Sequence, residues 1–332
     1  MIPLLQTPCY LIIFTDTECF EKIKEIRDSF FLQNLTHYVI SEFTDLECYK
    51  YNDIVKKNRE KYYPTKDERT CSESHLLCCN KFNFLLETIR LNPFNTSKFG
   101  WIDSNLRENF LKICTNYENN MLLQALHKAS HKFHIQILNV CDKKYINPEN
   151  KREMYEQYRW IVCGCLFITG PDIGVKICNR LNDIMIKTTI EGYGHGEEMF
   201  FLEILDEFYD DIEQSFGDYN TLLNNFIHPT KGVDYILNYI IKNYNNLGYY
   251  KESYDCCKKV LHQIENYNVS IDYNVYFQIL FNYYLATYYH KNKEEAHKIV
   301  KHIMNIVSIN PYFENEFNKN KHFYELQFNY CK

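Results

Sequence analysis

The residues whose types and spacing best suit chemistry are Asp103, Ser104 and Asn105, which follow directly on the apolar run Phe99-Gly100-Trp101-Ile102. Asp103 and Asn105 offer hard oxygen ligands at i and i+2, the kind that Mg²⁺ or Mn²⁺ takes when it holds a diphosphate. Taken alone, the triplet fits an ordinary strand-to-turn or helix N-cap transition at least as well. A second group is Gly192-Tyr193-Gly194-His195-Gly196-Glu197-Glu198, a glycine-rich approach to a histidine that ends in paired acids. Acids at a helix start often do no more than complement the dipole. In a third group, His228 closely precedes Lys231 and Gly232. This arrangement suits a metal-diphosphate site, with the imidazole on the metal and Lys231 on the phosphates.

The surrounding pattern supplies elements to position these groups. Residues 10–14 form a continuous apolar run stopped by Thr15-Asp16, as expected of a central strand buried on both faces. Residues 18–33 show helical spacing, and Tyr38-Val39-Ile40 gives a second strand. This β-α-β unit places a ligand crevice beyond Thr15 and Asp16. The first turn lacks a glycine-rich fingerprint, and no P-loop occurs anywhere. Residues 73–91 are helical in pattern, with Lys81 and Asn83 near the middle, facing either the crevice or solvent. Asn92-Pro93-Phe94-Asn95 breaks that helix ahead of the Trp101-Ile102-Asp103 strand end. Residues 105–126 are helical, 133–140 a strand, and 160–170 an apolar strand whose Gly164 marks a bulge or a close approach by another group. A helix follows from Pro171, another covers 199–208, and residues 219–227 read as an edge strand delivering His228. After Gly232 the pattern turns to helix pairs.

The chain has 332 residues, enough for one large domain and a smaller one. A hydrophobic content of 45% excludes a disordered chain, and a formal net charge of -6 disfavours nucleic acid as a partner. Its 14 cysteines form no pair of CxxC motifs at zinc spacing, and no basic leader precedes them, so free thiols in a reducing compartment are expected. The apolar runs are far shorter than the roughly 20 residues that span a bilayer. These features together predict a soluble, cytoplasmic protein without a membrane span. The 29 tyrosines and 23 phenylalanines suit an AT-rich genome, such as that of a giant virus, in which case the location is the host cytoplasm.

Residues 1–232 resemble the GT-A glycosyltransferases, specifically the HtrL/YibB-like group. The residues that carry the resemblance are Asn92 to Asn95, the Trp101-Ile102-Asp103 strand end, the glycine-containing strand of residues 163–170, and Gly194-His195-Gly196-Glu197-Glu198. It implies an α/β domain with a Rossmann-like, mostly parallel sheet that binds a nucleotide diphosphate sugar, a UDP-sugar by default, through Mn²⁺ or Mg²⁺. Asp103, Asn105 and His228 would hold the metal, while Thr15 and Asp16 contact base and ribose. Lys81 and Lys231 would serve the cofactor side; Gly164, Cys165, His195, Glu197 and Glu198 would line the sugar and acceptor side. One departure from the family pattern is Asn105, which stands where a second acid is usual. Residues 233–332 are similar to tetratricopeptide helix hairpins and form an all-α domain that buttresses the fold, joins a homodimer or binds a protein partner.

The expected reaction is transfer of a sugar from the nucleotide to a hydroxyl of a glycan or protein acceptor. If it inverts the anomeric centre, Glu197 or Glu198 is the base. The alternative is a catalytically silent nucleotide-sugar-binding or scaffold protein acting through its helical hairpins. A two-metal phosphohydrolase or nucleotidyltransferase is disfavoured, since no further acids cluster near Asp103 in the sequence.

Overall fold

The N-terminal apolar run folds as β1 (Leu11–Thr15), and β2 (Thr36–Ile40) lies parallel to it, with Leu11 opposite Thr36 and Thr15 opposite Ile40. The helix Thr17–Ser29 makes the crossover and is started by Asp16, whose Oδ1 accepts the Cys19 N–H at 2.7 Å. This computed structural model describes residues 2–62, 71–104, 120–194, 196–227, 232–267 and 269–329. All five residues of β1 are half-buried rather than enclosed on both faces, because β2 is its only partner strand among the described residues.

A second sheet has the order β3-β5-β4-β6, formed by β3 (Phe99–Ile102), β4 (Phe133–Ile137), β5 (Val162–Thr169) and β6 (Ile212–Phe216). Here the expectation of a mostly parallel sheet is corrected: β5 runs antiparallel to both β3 and β4. The connection from β4 to β5 holds only short 3₁₀ turns and the helix Lys151–Tyr155, not the long crossover helix that parallel neighbours usually need. Four fully buried phenylalanines bind this sheet to its helices. Phe82 lies 6.2 Å from Phe167 and 5.8 Å from Phe201, and Phe133 lies 5.2 Å from Phe167, measured between ring centroids. They clamp the helix Lys81–Leu91 and the helix Phe201–Glu207 against β4 and β5, which fixes the residues at those helix starts.

A buried arginine orders the N-terminal segment. The Arg27 guanidinium donates to the carbonyls of Leu5, Thr7, Cys9 and Leu35 at 2.8–3.4 Å and to Thr36 Oγ1 at 2.7 Å. Burial pushes its pKa down, against the opposing effect of Cys9 and Tyr38.

The chain divides into two units, one of Met1–Ile137, Cys141–Ser215 and Tyr219–Ile227, the other of Leu138–Val140, Phe216–Asp218 and His228–Lys332. In the first unit, residues expected as an edge strand form the helix Leu222–Ile227; the apolar pair Leu222-Leu223 and Phe226-Ile227 are buried at helical spacing. Outside its two short segments, the second unit is helical throughout its described residues. Beyond a π-helical turn, Ile236–Ile241, it contains Tyr250–Tyr267, Tyr273–His290, Lys293–Ile309, Pro311–Lys319 and Lys321–Asn329. Asp272, Asn292 and Asn310 cap three of these helices through side-chain oxygens. Among the described residues no helix is long and apolar enough to cross a membrane.

Candidate functional site

Lys81 begins the helix Lys81–Leu91, where the positive end of the helix dipole disfavours a cation. It is nonetheless 2% exposed, so strong partners must hold it. Its Nζ donates to Glu197 Oε1 at 2.6 Å, to the Gly164 carbonyl at 3.0 Å and to Asp103 Oδ1 at 3.4 Å. It also lies 5.7 Å from the centroid of the Trp101 ring. Burial works to lower the lysine pKa, but Asp103 and Glu197 outweigh it and hold the ammonium well above the usual lysine value.

Asp103 stands one residue past β3, and its N–H continues the ladder to the Cys165 carbonyl at 2.8 Å. Trp101, two residues earlier and therefore on the same face of the strand, donates its Nε1–H to Asp103 Oδ1 at 2.6 Å. With 32% of its side chain exposed, Asp103 is the carboxylate of this group most open to a ligand; the Glu197 side chain is 9% exposed.

Glu197 and Glu198 open a 3₁₀ turn, Glu197–Phe200, capped by Gly196. Although adjacent in sequence, they sit in different surroundings. Glu197 pairs with the Lys81 ammonium. Glu198 Oε1 accepts from the Gly164 N–H at 2.9 Å and the Tyr219 hydroxyl at 2.7 Å, while Oε2 accepts from the Tyr158 hydroxyl at 2.9 Å. Burial, followed by the neighbouring Glu197 charge, pushes the Glu198 carboxyl up to about 7, despite the three donors that pull it down. The close approach expected at Gly164 is made by these acids, since a Cβ there would lie 2.5 Å from Glu197 Oε1. Gly196 has a matching role beneath the Tyr158 ring, whose hydroxyl oxygen would lie 2.5 Å from an added Cβ.

Cysteines surround the cluster. Cys78 is exposed, yet burial by the surrounding walls, then Glu197, push its thiol up to about 12. Cys165 is raised by its hydrogen bond with Cys163, by burial and by Asp103.

The structure thus brings together Lys81, Asp103, Gly164, Cys165, Glu197 and Glu198. Thr15 and Asp16 make no hydrogen bond to this group; Thr15 Oγ1 donates to the Asp16 carbonyl, and Asp16 caps its helix. Asn83 turns instead to Asn80 and Asn182. Asn105, His195, His228 and Lys231 lie outside the described residues. Sequence reasoning missed Tyr158, Tyr219, Cys78 and the role of Trp101. Of these only Trp101 carries a signal, as one of two tryptophans and two residues before the acid on a strand.

The divalent cation implied by the resemblance can be tested against these donors. Among the described residues no group of three His, Cys, Asp or Glu side chains could hold a metal ion. Asp103 alone remains of the expected ligands, and its Oδ1 is already shared between Trp101 and an ammonium. The other two expected ligands, Asn105 and His228, lie outside the described residues, so of that set the described residues contain Asp103 alone. No family model, curated protein or solved structure matches this chain.

Proposed function

We propose that the first unit is a glycosyltransferase that moves a sugar from a nucleotide diphosphate sugar, a UDP-sugar by default, to an acceptor hydroxyl of a glycan or protein. The observation that carries this reading is the convergence of Asp103, Gly164 and Glu197 from three separate segments on the buried Lys81 ammonium, with Glu198 held on the Gly164 N–H beside them. In this reading the acceptor oxygen attacks the anomeric carbon, the bond to the diphosphate breaks with its electron pair, and the acceptor proton passes to Glu198. A carboxyl held at about 7 suits a base near neutral pH. Glu197 stays charge-paired and fixes the Lys81 ammonium, whose field opposes the negative charge that builds on the leaving diphosphate. Asp103, oriented by Trp101, faces the sugar. Thr15 and Asp16 at the base and ribose, His195 at the sugar, and Lys231 at the phosphates complete the same proposal.

A second reading, a silent nucleotide-sugar binder, is favoured by one observation: Lys81 and Glu198 already have their hydrogen-bond partners within the protein. Thermal stability against a panel of nucleotide sugars and nucleoside diphosphates, with and without Mn²⁺, tests both readings. A ligand that binds only the folded state raises the melting temperature. We expect a rise with one nucleotide class and transfer lost in Glu198→Gln. A rise without any transfer selects the silent binder, and no rise with any ligand rejects both.

A further inference from the structure

In the β1–β2 ladder the Thr15 carbonyl accepts from the Ser41 N–H at 3.0 Å, so Leu11, Ile13 and Thr15 turn their main-chain groups towards β2. Ile12 and Phe14 turn theirs away. On β3, the Asp103 N–H reaches the Cys165 carbonyl at 2.8 Å, so Phe99 and Trp101 face β5. Gly100 and Ile102 point away from it. These four outward residues, Ile12, Phe14, Gly100 and Ile102, all line one cavity of about 600 Å³. Among the described residues no backbone hydrogen bond reaches any of them on that side. Among the described residues the cavity is therefore bounded by two strand edges without main-chain partners, with Leu85, Leu122, Leu126, Leu166 and Ile168 among its other walls.

This combination restricts what belongs there. A purely hydrocarbon ligand would cover the leucines but leave two rows of main-chain donors and acceptors without partners. A soluble polar ligand would satisfy the rows and waste the walls. An extended polypeptide does both, pairing its main chain with the edges while alternate side chains pack on the apolar walls. The size agrees. At ordinary rise, strand spacing and sheet thickness a strand residue takes roughly 160 Å³, so the cavity accepts about four residues, and β3 has 4. Trp101 links the cavity to the acid cluster, since it lines the one and donates through Nε1 to Asp103 in the other.

We propose that the slot between β1 and β3 takes an extended polypeptide as an added strand, and that this peptide is the acceptor, presenting a Ser, Thr or Tyr hydroxyl beside Asp103. The acceptor role rests on the transferase reading, whereas the binding does not. The test uses the full chain without nucleotide sugar and fluorescein-labelled hexapeptides that alternate Val with Thr, read by anisotropy. We expect saturable binding that weakens at least tenfold when alternate peptide nitrogens are methylated, because methylation removes main-chain donors and leaves the side chains. Ile12→Pro should weaken binding similarly: its N–H faces the slot, so the β1–β2 ladder keeps its bonds. Equal affinity for the methylated peptide, or no binding at millimolar concentration, overturns the slot. Peptide binding in a protein that answers to no nucleotide sugar overturns the acceptor role alone.

Discussion

Two buried cations in the first unit, Arg27 and Lys81, solve the same problem in opposite ways. Arg27 gives five hydrogen bonds to neutral oxygens, four carbonyls and a hydroxyl, and meets no carboxylate among them. Lys81 meets two carboxylates and a carbonyl. The first arrangement ties loose main chain to a helix and pushes the cation's pKa down through burial. The second holds an ion cluster around a partly open acid and pushes the lysine pKa up. A cation among neutral acceptors orders a segment; one among acids stays charged despite its burial. That contrast separates scaffold from candidate site without reference to any relative.

Substitutions can break the contrast. Lys81→Met leaves Glu197 buried without its partner and should cost about 3–5 kcal/mol at pH 7, with transfer lost. In urea denaturation the deficit should shrink in the double variant that also carries Glu197→Gln, since no buried charge is then left without its partner. A deficit as large in the double variant would put Lys81 in the same class as Arg27. Arg27→Met should cost about 2–4 kcal/mol through carbonyls left unsatisfied, with little change between pH 5 and 8 and with activity following the folded fraction. Loss of activity at unchanged stability would contradict a purely structural role.

Glu198 allows a finer test. Its carboxyl is raised from 4.5 to about 7, so between those values the folded state holds more protons than the unfolded one. Stability should therefore fall as pH rises through this window, by up to roughly 3 kcal/mol, and level off above it. Glu198→Gln should flatten that slope; if the slope persists, another group is its source. Gly164→Ala should cost about 1–3 kcal/mol, because its methyl would meet the Glu197 carboxylate. An unchanged urea midpoint would mean the acid pair is free to shift. Tyr158→Phe should have the smallest effect, about 1 kcal/mol, and should raise the Glu198 midpoint further by removing a donor to the carboxylate. A midpoint that stays or falls would show that the hydroxyl does not stabilise the anion.

Much of this cluster was legible in the sequence because its members break local expectations. Asp103 ends an apolar run, Gly164 interrupts one, and Glu197-Glu198 follow a run of glycines. Tyr158 and Tyr219 break none, and nothing separates them from the other tyrosines among 29. Sheet direction was hidden for a different reason. The apolar pattern of β5 reads alike in either sense, and direction came from the connection before it, whose short turns look like any polar loop. The half-exposed state of β1 was hidden too, since a strand's own residues do not say how many neighbours it will find. In the second unit the helix pairs followed from periodicity and caps. The last two helices, Pro311–Lys319 and Lys321–Asn329, went unread because Pro311 resembles a stop, whereas here it occupies the first position of a new helix.

Cys78 is an exposed residue beside the acid cluster, but burial of its thiol, then the Glu197 charge, push the thiol up to about 12. Alkylating agents and peroxide attack thiolates, and at neutral pH hardly any Cys78 is in that form. Burial, reinforced by the Glu197 charge, thus passivates a sulfur that stands beside the site. An iodoacetamide time course should find Cys78 slow to label despite its exposure, and faster once Lys81 remains but Glu197 is neutralised as Gln.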